Sequence, residues 1–593
     1  MSESTKGISR RTVLTGAGVA ATVGAVGLPS SDAHAQASAH AQERTWDHQA
    51  DVVVVGGGVA GLTAALIAAE EGDSVILVEK APVLGGTTAK SAAVYWIPNN
   101  FALRDRGIND KKEDCMKYLC RFAYPDRYTP DSPTLGLATD AYALIEAFYD
   151  NGTVAVDRLA GMGALQSVQW TMDGTRDDTH FGPPDYFDHA PENKVPAGRA
   201  LGPVKADGTQ GVGTDLIEQL ETALRRRGQQ VLTDHLVLGV VLNNAGEVVG
   251  LEAESGGKAV SVRARKAVIF GSGGYAHNPE FVRLYQRSHS YGSCASGTST
   301  GSFINIGGAA GARLGNMFGA WRSQVLVEQC LENPRLTGSV FFPPGDSMLE
   351  VNKYGKRVVN EKRNYNDRTK IHFSYDPTTE NFPNHLLFLI FDARTREAFS
   401  GSYPLPDLGK TSPYLLEGST LADLSSKIEA RLAKIGPQVG GFELDADFQQ
   451  NLEVTIDRFN GYARSGTDPE FGRGAQQYDQ AWAGFFGPHR ADSDWPVNDM
   501  PNATMYPLRN EGPYYAFILG AGMLDTCGGP LINEKAQVID TFGNPIPGLY
   551  GAGNCVASPT REAYYGAGGT IGPALTFGYI AGMNAHKEPV RAG

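Results

Sequence analysis

The plainest chemistry in this chain sits in a glycine turn, Gly56-Gly57-Gly58-Val59-Ala60-Gly61. It follows Asp51-Val52-Val53-Val54-Val55, whose four consecutive valines read as a strand buried on both faces, as in a parallel sheet. Gly56, Gly58 and Gly61 complete G-x-G-x-x-G at a strand-to-helix junction. There the first glycine permits the tight turn, the second lets a pyrophosphate approach the backbone, and the third lets helix and strand pack closely. The helix start behind the turn offers unpaired N–H groups and a positive dipole end to phosphates. A helical run then leads to Val75-Ile76-Leu77-Val78-Glu79, and Glu79 ends this second strand where an acid meets a ribose hydroxyl. Strand, turn, helix, strand and acid in this order specify a dinucleotide site. A glycine-rich turn without a ligand is the plainer alternative.

The elements that must hold this site extend far along the chain. After Glu79, the small-residue loop Gly85-Gly86-Thr87-Thr88-Ala89-Lys90-Ser91 can lie against a cofactor. Gly211 to Gly228 opens with Gly-Val-Gly-Thr-Asp and continues as an amphipathic helix carrying Leu216, Ile217, Leu220 and Leu224. Strands of a meander follow at 237–242, 248–254 and 260–264, with Asn244-Ala245-Gly246 as a turn. Lys266-Ala-Val-Ile-Phe270 then returns a buried strand to the turn Gly271-Ser272-Gly273-Gly274. A comparable ending recurs at Pro547-Gly-Leu-Tyr-Gly551-Ala552-Gly553-Asn554. Two late strand-to-glycine turns facing the first make the cofactor domain discontinuous, running over 48–295 and resuming at 508–593. Residues 296–507 form the inserted domain, with polar, glycine- and proline-rich stretches around 465–475 and 485–503.

Size and composition narrow the partners. A chain of 593 residues can bury at least two cores. A net charge of −13 with no basic stripe argues against nucleic acid. The cysteines at 115, 120, 294, 330, 527 and 555 form no C-x-x-C, haem or zinc spacing, so buried free thiols and no metal site are expected. Residues 1–35 read as an address: Ser9-Arg10-Arg11-Thr12-Val13-Leu14 is a twin-arginine pattern, an apolar run spans Thr15 to Leu28, and Ala33-His34-Ala35 resembles a cleavage site. A periplasmic protein, exported folded with its cofactor, is the expectation; an uncleaved anchor or a chance arginine pair is the alternative.

These pieces together resemble the fumarate reductase/succinate dehydrogenase flavoprotein family and, within it, the 3-ketosteroid dehydrogenases, over nearly all of residues 50–585. The resemblance rests on the dinucleotide turn, Glu79-Lys80, Gly85 to Thr88, Gly213-Thr214-Asp215, Gly271 to Gly274, Tyr514-Tyr515-Ala516-Phe517, Gly528-Gly529 and Gly551 to Asn554. It implies an α/β fold, a discontinuous Rossmann-like FAD-binding domain with an inserted α+β substrate (catalytic) domain. It also implies FAD at Gly56, Gly58, Gly61, Glu79, Lys80, Gly86, Thr87, Thr88, Gly273, Gly274, Gly553, Asn554 and Ile571. Covalent members place a histidine in the loop after the second strand; residues 85–93 contain none, so non-covalent FAD is expected.

One position separates the branches. Both carry a block like Val351-Asn352-x-x-Gly355-Lys356-Arg357-x-x-Asn360-Glu361, and four residues beyond it fumarate reductases put a proton-delivering arginine where ketosteroid dehydrogenases put a tyrosine. This chain has Tyr365, with Arg363 two residues off register. Fumarate reductases also favour a histidine before Thr-x-Gly-Gly, where this chain reads Asp525-Thr526-Cys527-Gly528-Gly529. A dicarboxylate site needs cations and donors for two carboxylates. The block Tyr564-Tyr565-Gly566-Ala567-Gly568-Gly569-Thr570-Ile571 looks like the ketosteroid motif in which a tyrosine hydroxyl and a backbone N–H four residues later grip the ketone, here Tyr564 and Gly568. Tyr565 stands where relatives often carry proline, leaving open which of the pair serves. Pro184-Asp185-Tyr186 resembles the loop supplying a supporting tyrosine, Tyr186.

The resemblance implies FAD-dependent introduction of a C=C bond beside a ketone, foremost at Δ1 of a 3-ketosteroid. Tyr365 would remove the α-proton with help from Tyr186, and the β-hydride would pass to flavin N5, reoxidised by a quinone or periplasmic carrier. Peripheral membrane contact would suit a lipophilic substrate. A periplasmic enoate reductase, a dehydrogenase for a smaller cyclic ketone, and a flavin electron carrier without substrate are the competing expectations.

Overall fold

The computed structural model describes residues 45–173, 182–336 and 338–592, so residues 1–35, where a twin-arginine leader is expected, lie outside the described residues. The valine strand His48–Val55 occupies the centre of an eight-stranded sheet, with Val52, Val53 and Val54 fully buried. It pairs in parallel with Val75–Val78 on one side and Lys258–Phe270 on the other, and Pro545–Gly551 continues the sheet beyond the latter. Gln230–Leu232 extends it past Val75–Val78.

Register explains why the glycine turns meet. Val55 pairs with Val78 and with Phe270, and Phe270 pairs with Gly551, so four strands end level at their carboxyl edge. The backbone then stitches the turns together: Gly56 N–H donates to Val78 O, Gly271 N–H to Val55 O, and Ala552 N–H to Phe270 O, each at 2.8 Å. Ligands of open parallel sheets bind beyond this edge.

Two elements differ from the sequence expectation. Residues 260–264 and 266–270 are halves of one strand, Lys258–Phe270, which takes the antiparallel ribbon Leu236–Leu242/Val248–Ser255 on its first half and the parallel sheet on its second. The return to the cofactor sheet also falls later than 508. Tyr514–Thr526 runs through a second sheet, between Ala320–Leu326 and Leu387–Asp392, with Met348–Val351 outside the latter. Its alternating aromatic and aliphatic residues bury both faces there, and the chain rejoins the first sheet only with Gln537–Ile539 and Pro545–Gly551.

The dinucleotide helix Val59–Glu70 packs against the last helix, Ile571–His586, through small residues: a Cβ at Gly578 would lie 2.5 Å from Ala60 O, and one at Gly582 would lie 2.7 Å from Ala64 O. This close packing sets where the start of the last helix lies. A small third sheet, Tyr95–Trp96, Ala200–Pro203 and Ser167–Gln169, closes the cleft from the side. Cys115 and Cys120 lie buried in the helix Lys112–Ala123, and all six cysteines are free. Among the described residues no helix is long and apolar enough to cross a membrane, and no three His, Cys, Asp or Glu side chains cluster as metal ligands.

Candidate active site

The three glycines of the first turn serve three different ends. Gly56 has φ +106°, and a Cβ there would meet Gly271 O at 2.5 Å. A Cβ on Gly61 would fall 1.9 Å from Gly56 O, so that glycine belongs to helix–strand packing and does not line the cleft. At Gly58 the nearest atom would be Thr88 Oγ1 at 3.6 Å. No packing demand explains Gly58, and its open side faces the cleft. That is the space a close-lying pyrophosphate needs.

Around this turn the cleft is lined by Glu79, Lys80, Gly86, Thr87, Thr88, Gly273, Gly553, Asn554 and Ile571. Glu79 Oε2 accepts the Gly57 N–H at 2.8 Å, and Lys80 Nζ donates to Thr300 Oγ1 at 2.9 Å. Burial holds the Lys80 ammonium below its ordinary pKa, against the opposing pull of Glu79. Gly274 stands behind the wall: its N–H donates to Asp525 Oδ2 at 3.2 Å. Asp525 also accepts from Asn554 Nδ2 at 3.1 Å, which ties two glycine turns through one carboxylate that burial pushes up in pKa. The donor set, the glycine cradle and the acid at the strand end fit FAD.

At the other end of the same cleft three tyrosines from distant segments converge. Tyr186 OH donates to Tyr365 OH at 2.9 Å. The Tyr186 ring stacks on Tyr564 with centroids 5.3 Å apart and planes 13° apart, and Tyr365 stands edge-on to both at 5.5 Å. All three line the cleft with Gly568, whose φ of +91° and close approach to Tyr95 and Val94 require glycine. Burial raises the Tyr365 phenol well above its ordinary pKa, and the neighbouring Tyr186 and Tyr564 add to the shift. Burial raises Tyr186 likewise. Tyr564 is also raised by burial, with the Tyr365 and Thr570 side chains pulling it back down. Tyr565 plays no part: its hydroxyl donates to Leu119 O at 2.8 Å, and its ring packs on Trp96 and Tyr118.

Tyr365 is held by the sequence block that precedes it. Asn364 caps the short helix Tyr365–Thr369 by accepting the Asp367 N–H at 2.9 Å. Arg357 forms a bidentate pair with Glu361 at 2.7 and 2.8 Å and a second bond to Asp468 at 2.9 Å, all buried. Arg357, with Arg473 at 3.3 Å from the same carboxylate, holds the Glu361 carboxyl down to about 2 against its burial. Arg368 donates to Val340 O at 3.0 Å, and Lys362 to Gly345 O at 2.7 Å, binding the loop that presents Phe341. Phe341 lies edge-on to Tyr365 at 5.1 Å. Arg363 points away, to His189 at 3.1 Å and Asp479 at 3.5 Å. Among the described residues no arginine lines the cleft.

The sequence reading missed the apolar wall beside the tyrosines: Trp170, Phe341, Trp482, Phe485, Phe486 and Leu524. Three of these come from the helix Gln477–Phe486, where Trp482, Phe485 and Phe486 at spacings of three and four share one face, a signal present in the sequence. Trp170 stacks on Trp482 at 6.0 Å.

Residues 51–571 match the family model described as FAD binding domain. The 4-oxocyclohexanecarboxylate 2-dehydrogenase of Sinomonas cyclohexanicum is 30% identical over 580 residues, covering 90% of this chain and 92% of its own. The 3-oxosteroid 1-dehydrogenase of Mycolicibacterium smegmatis is 30% identical over 595 residues, 90% of this chain and 96% of its own. Among solved structures, the 3-ketosteroid Δ1-dehydrogenase of Sterolibacterium denitrificans, crystallised with 1,4-androstadiene-3,17-dione, matches with a TM-score of 0.74 at 24% identity, over 91% of this chain and 100% of that one. At that identity the likeness is one of fold.

Proposed function

We propose, for a chain that belongs to the FAD-dependent 3-ketosteroid dehydrogenase/fumarate reductase flavoprotein family, that it introduces a C=C bond beside the ketone of an apolar polycyclic substrate of the 3-ketosteroid class. The carrying observation is the meeting of Tyr186, Tyr365, Tyr564 and Gly568 in one cleft with the glycine cradle. The Tyr564 O–H and Gly568 N–H are the donors for the ketone oxygen, and together they stabilise the enolate-like charge that develops as the α-proton leaves. Tyr365 in its ionised form accepts that proton. The Tyr186 O–H donates to the Tyr365 oxygen at 2.9 Å, and this contact strengthens as that oxygen gains charge. Because burial raises Tyr186 too, it keeps its own proton and remains a donor.

FAD, when bound, supplies the acceptor for the β-hydrogen and its electron pair, so the substrate loses one proton and one hydride. Gly56 and Gly58 with the start of the helix Val59–Glu70 would hold its pyrophosphate, Glu79 its ribose, and Gly553-Asn554 and the start of Ile571–His586 its ring. Non-covalent attachment is part of the proposal. His235 is the histidine lining the cleft among the described residues, and its Nδ1 is 2.6 Å from Thr233 O beside Glu79.

Two features favour a polycyclic ketone over a carboxylate-bearing substrate. Among the described residues no arginine lines the cleft, and the lysines that do are committed: Lys80 to Thr300 Oγ1 at 2.9 Å, Lys90 to Ala295 O at 3.0 Å and Leu336 O at 3.1 Å. The wall beside the tyrosines is aromatic. We place the protein in the periplasm on its Arg10-Arg11 pattern, with a quinone or periplasmic carrier as acceptor.

Anaerobic mixing of the holoprotein with candidate substrates tests the assignment. A saturated 3-ketosteroid ring should bleach the flavin absorbance; succinate should not, and 4-oxocyclohexanecarboxylate should do so poorly. Bleaching by succinate, or fast reoxidation of the reduced protein by fumarate, would overturn it in favour of an enoate reductase.

A further inference from the structure

Beneath the phenols lies a buried ion network that the chemistry above leaves unused. The side chains of Arg199, Asp110 and Asp185 are 1%, 1% and 3% exposed. Arg199 donates through Nε and Nη2 to the two oxygens of Asp110, both at 2.7 Å. Its Nη1 donates to Asp185 Oδ2 at 2.5 Å, Asn193 Oδ1 at 2.8 Å and Val195 O at 2.7 Å. The guanidinium carbon lies 5.2 Å from the Trp96 ring and 5.4 Å from the Tyr118 ring. Three buried charges gain little net stability over an apolar core of the same shape. Their geometry has another consequence.

The network's branches end on the two halves of the site. Asp185 precedes Tyr186, whose N–H donates to Tyr565 O at 2.8 Å. Asp185 Oδ1 accepts the Trp96 indole N–H at 2.8 Å, and the Trp96 backbone N–H donates to Gly568 O at 3.1 Å. The chain between Tyr565 and Gly568 lies directly on this junction: a Cβ on Gly566 would meet Trp96 Cδ1 at 2.7 Å and Asp185 Oδ1 at 2.9 Å.

We propose that Arg199 and Asp185 are positioning residues that, through Trp96, fix the Tyr186 phenol relative to the Gly568 amide. The inference rests on the ketone-desaturation chemistry proposed above. The two ends are not equally secure. Gly568 is also held by its contact with the paired strand Tyr95–Trp96, whereas Tyr186 lies in a loop outside the sheets. Loosening the network therefore displaces the support for Tyr365 more than the grip on the ketone.

The test uses holoprotein carrying Asp185→Asn, which leaves Arg199 its bidentate partner Asp110, and Trp96→Phe, which removes the single indole bond to Asp185. At saturating ketone, flavin bleaching should slow at least tenfold in both, while the half-saturating ketone concentration shifts less than threefold and flavin content stays full. A merely structural role would lower the melting temperature or flavin content without separating rate from affinity. If Asp185→Asn yields no folded protein, Trp96→Phe decides alone. Bleaching at the parent rate in flavin-replete variants, or equal losses in rate and affinity, overturns the inference. A parent protein that no cyclic ketone bleaches overturns instead the proposed reaction, and the two failures are distinct.

Discussion

At the scale of single residues, the proposed chemistry turns on which phenol can lose a proton and which cannot. Tyr365 is buried and pushed well above its ordinary pKa, so its ionised fraction grows with pH across the whole accessible range. If that form takes the α-proton, the rate of ketone-driven flavin reduction should rise with pH toward tenfold per pH unit and reach no plateau below pH ~10. A plateau near neutrality would point to a different base. Tyr365→Phe should retain full FAD and slow reduction at least a hundredfold, within the usual ~10²–10⁴ contribution of a positioned base. Tyr564→Phe removes a donor to the ketone and should lower both affinity and rate, by about 1–3 kcal/mol in the transition state; stopped-flow titration with ketone separates the two. Tyrosine in place of arginine at 365 was legible in the sequence. That Tyr564 and not Tyr565 faces the cleft was not, because adjacent side chains differ only by the direction the local backbone gives them.

At the scale of elements, the level ends of four parallel strands make the cofactor edge, and the glycine turn on the first in sequence carries two separable demands. Gly61→Ala would drive a Cβ to 1.9 Å from Gly56 O, so helix and strand must part; poor folding is expected. Gly58→Ala meets nothing nearer than Thr88 Oγ1 at 3.6 Å, so it should fold with the parent's circular dichroism and melting temperature without ligand, yet bind FAD at least tenfold more weakly. Fluorescence titration of the flavin-free proteins checks both. FAD should also leave the parent protein on acid precipitation and appear in the supernatant, since attachment is proposed to be non-covalent. The valine strand, its turn and the following acid were readable because local periodicity and glycine spacing encode them. The course of Tyr514–Thr526 was not, since its long apolar run fits either sheet and only its pairing partners decide.

At the scale of the whole molecule, buried titratable groups behind the second sheet set the acid limit of stability. His372 is buried and His385 half-buried, and loss of hydration lowers both to about 4, so the native state holds them neutral. Both are neutral in folded and unfolded chains above pH 6.5; as pH falls from 6.5 through 4 only the unfolded chain takes up these protons, and stability drops. For fully buried His372 the loss is on the order of 3 kcal/mol. Glu361, held down to about 2 by Arg357 and Arg473, contributes stability that is present above its ordinary pKa and lost between 4.5 and 2. Glu350, pushed up to about 7 by burial, gains stability over the same range and opposes the histidines, so the test is the difference: in urea unfolding of the holoprotein, His372→Gln should gain midpoint relative to the parent as pH falls from 6.5 to 4.

The sequence alone determined the dinucleotide cradle, the identity of FAD by resemblance, and the tyrosines eligible for proton transfer. Those are statements about residue type and short spacing, which local chain geometry converts into structure. Only the tertiary structure brought Tyr186, Tyr365 and Tyr564 within one ring's contact across intervals of nearly two hundred residues, and set them beside Trp170 and Trp482. Contacts at such separation follow from strand order and helix packing, which no single segment encodes.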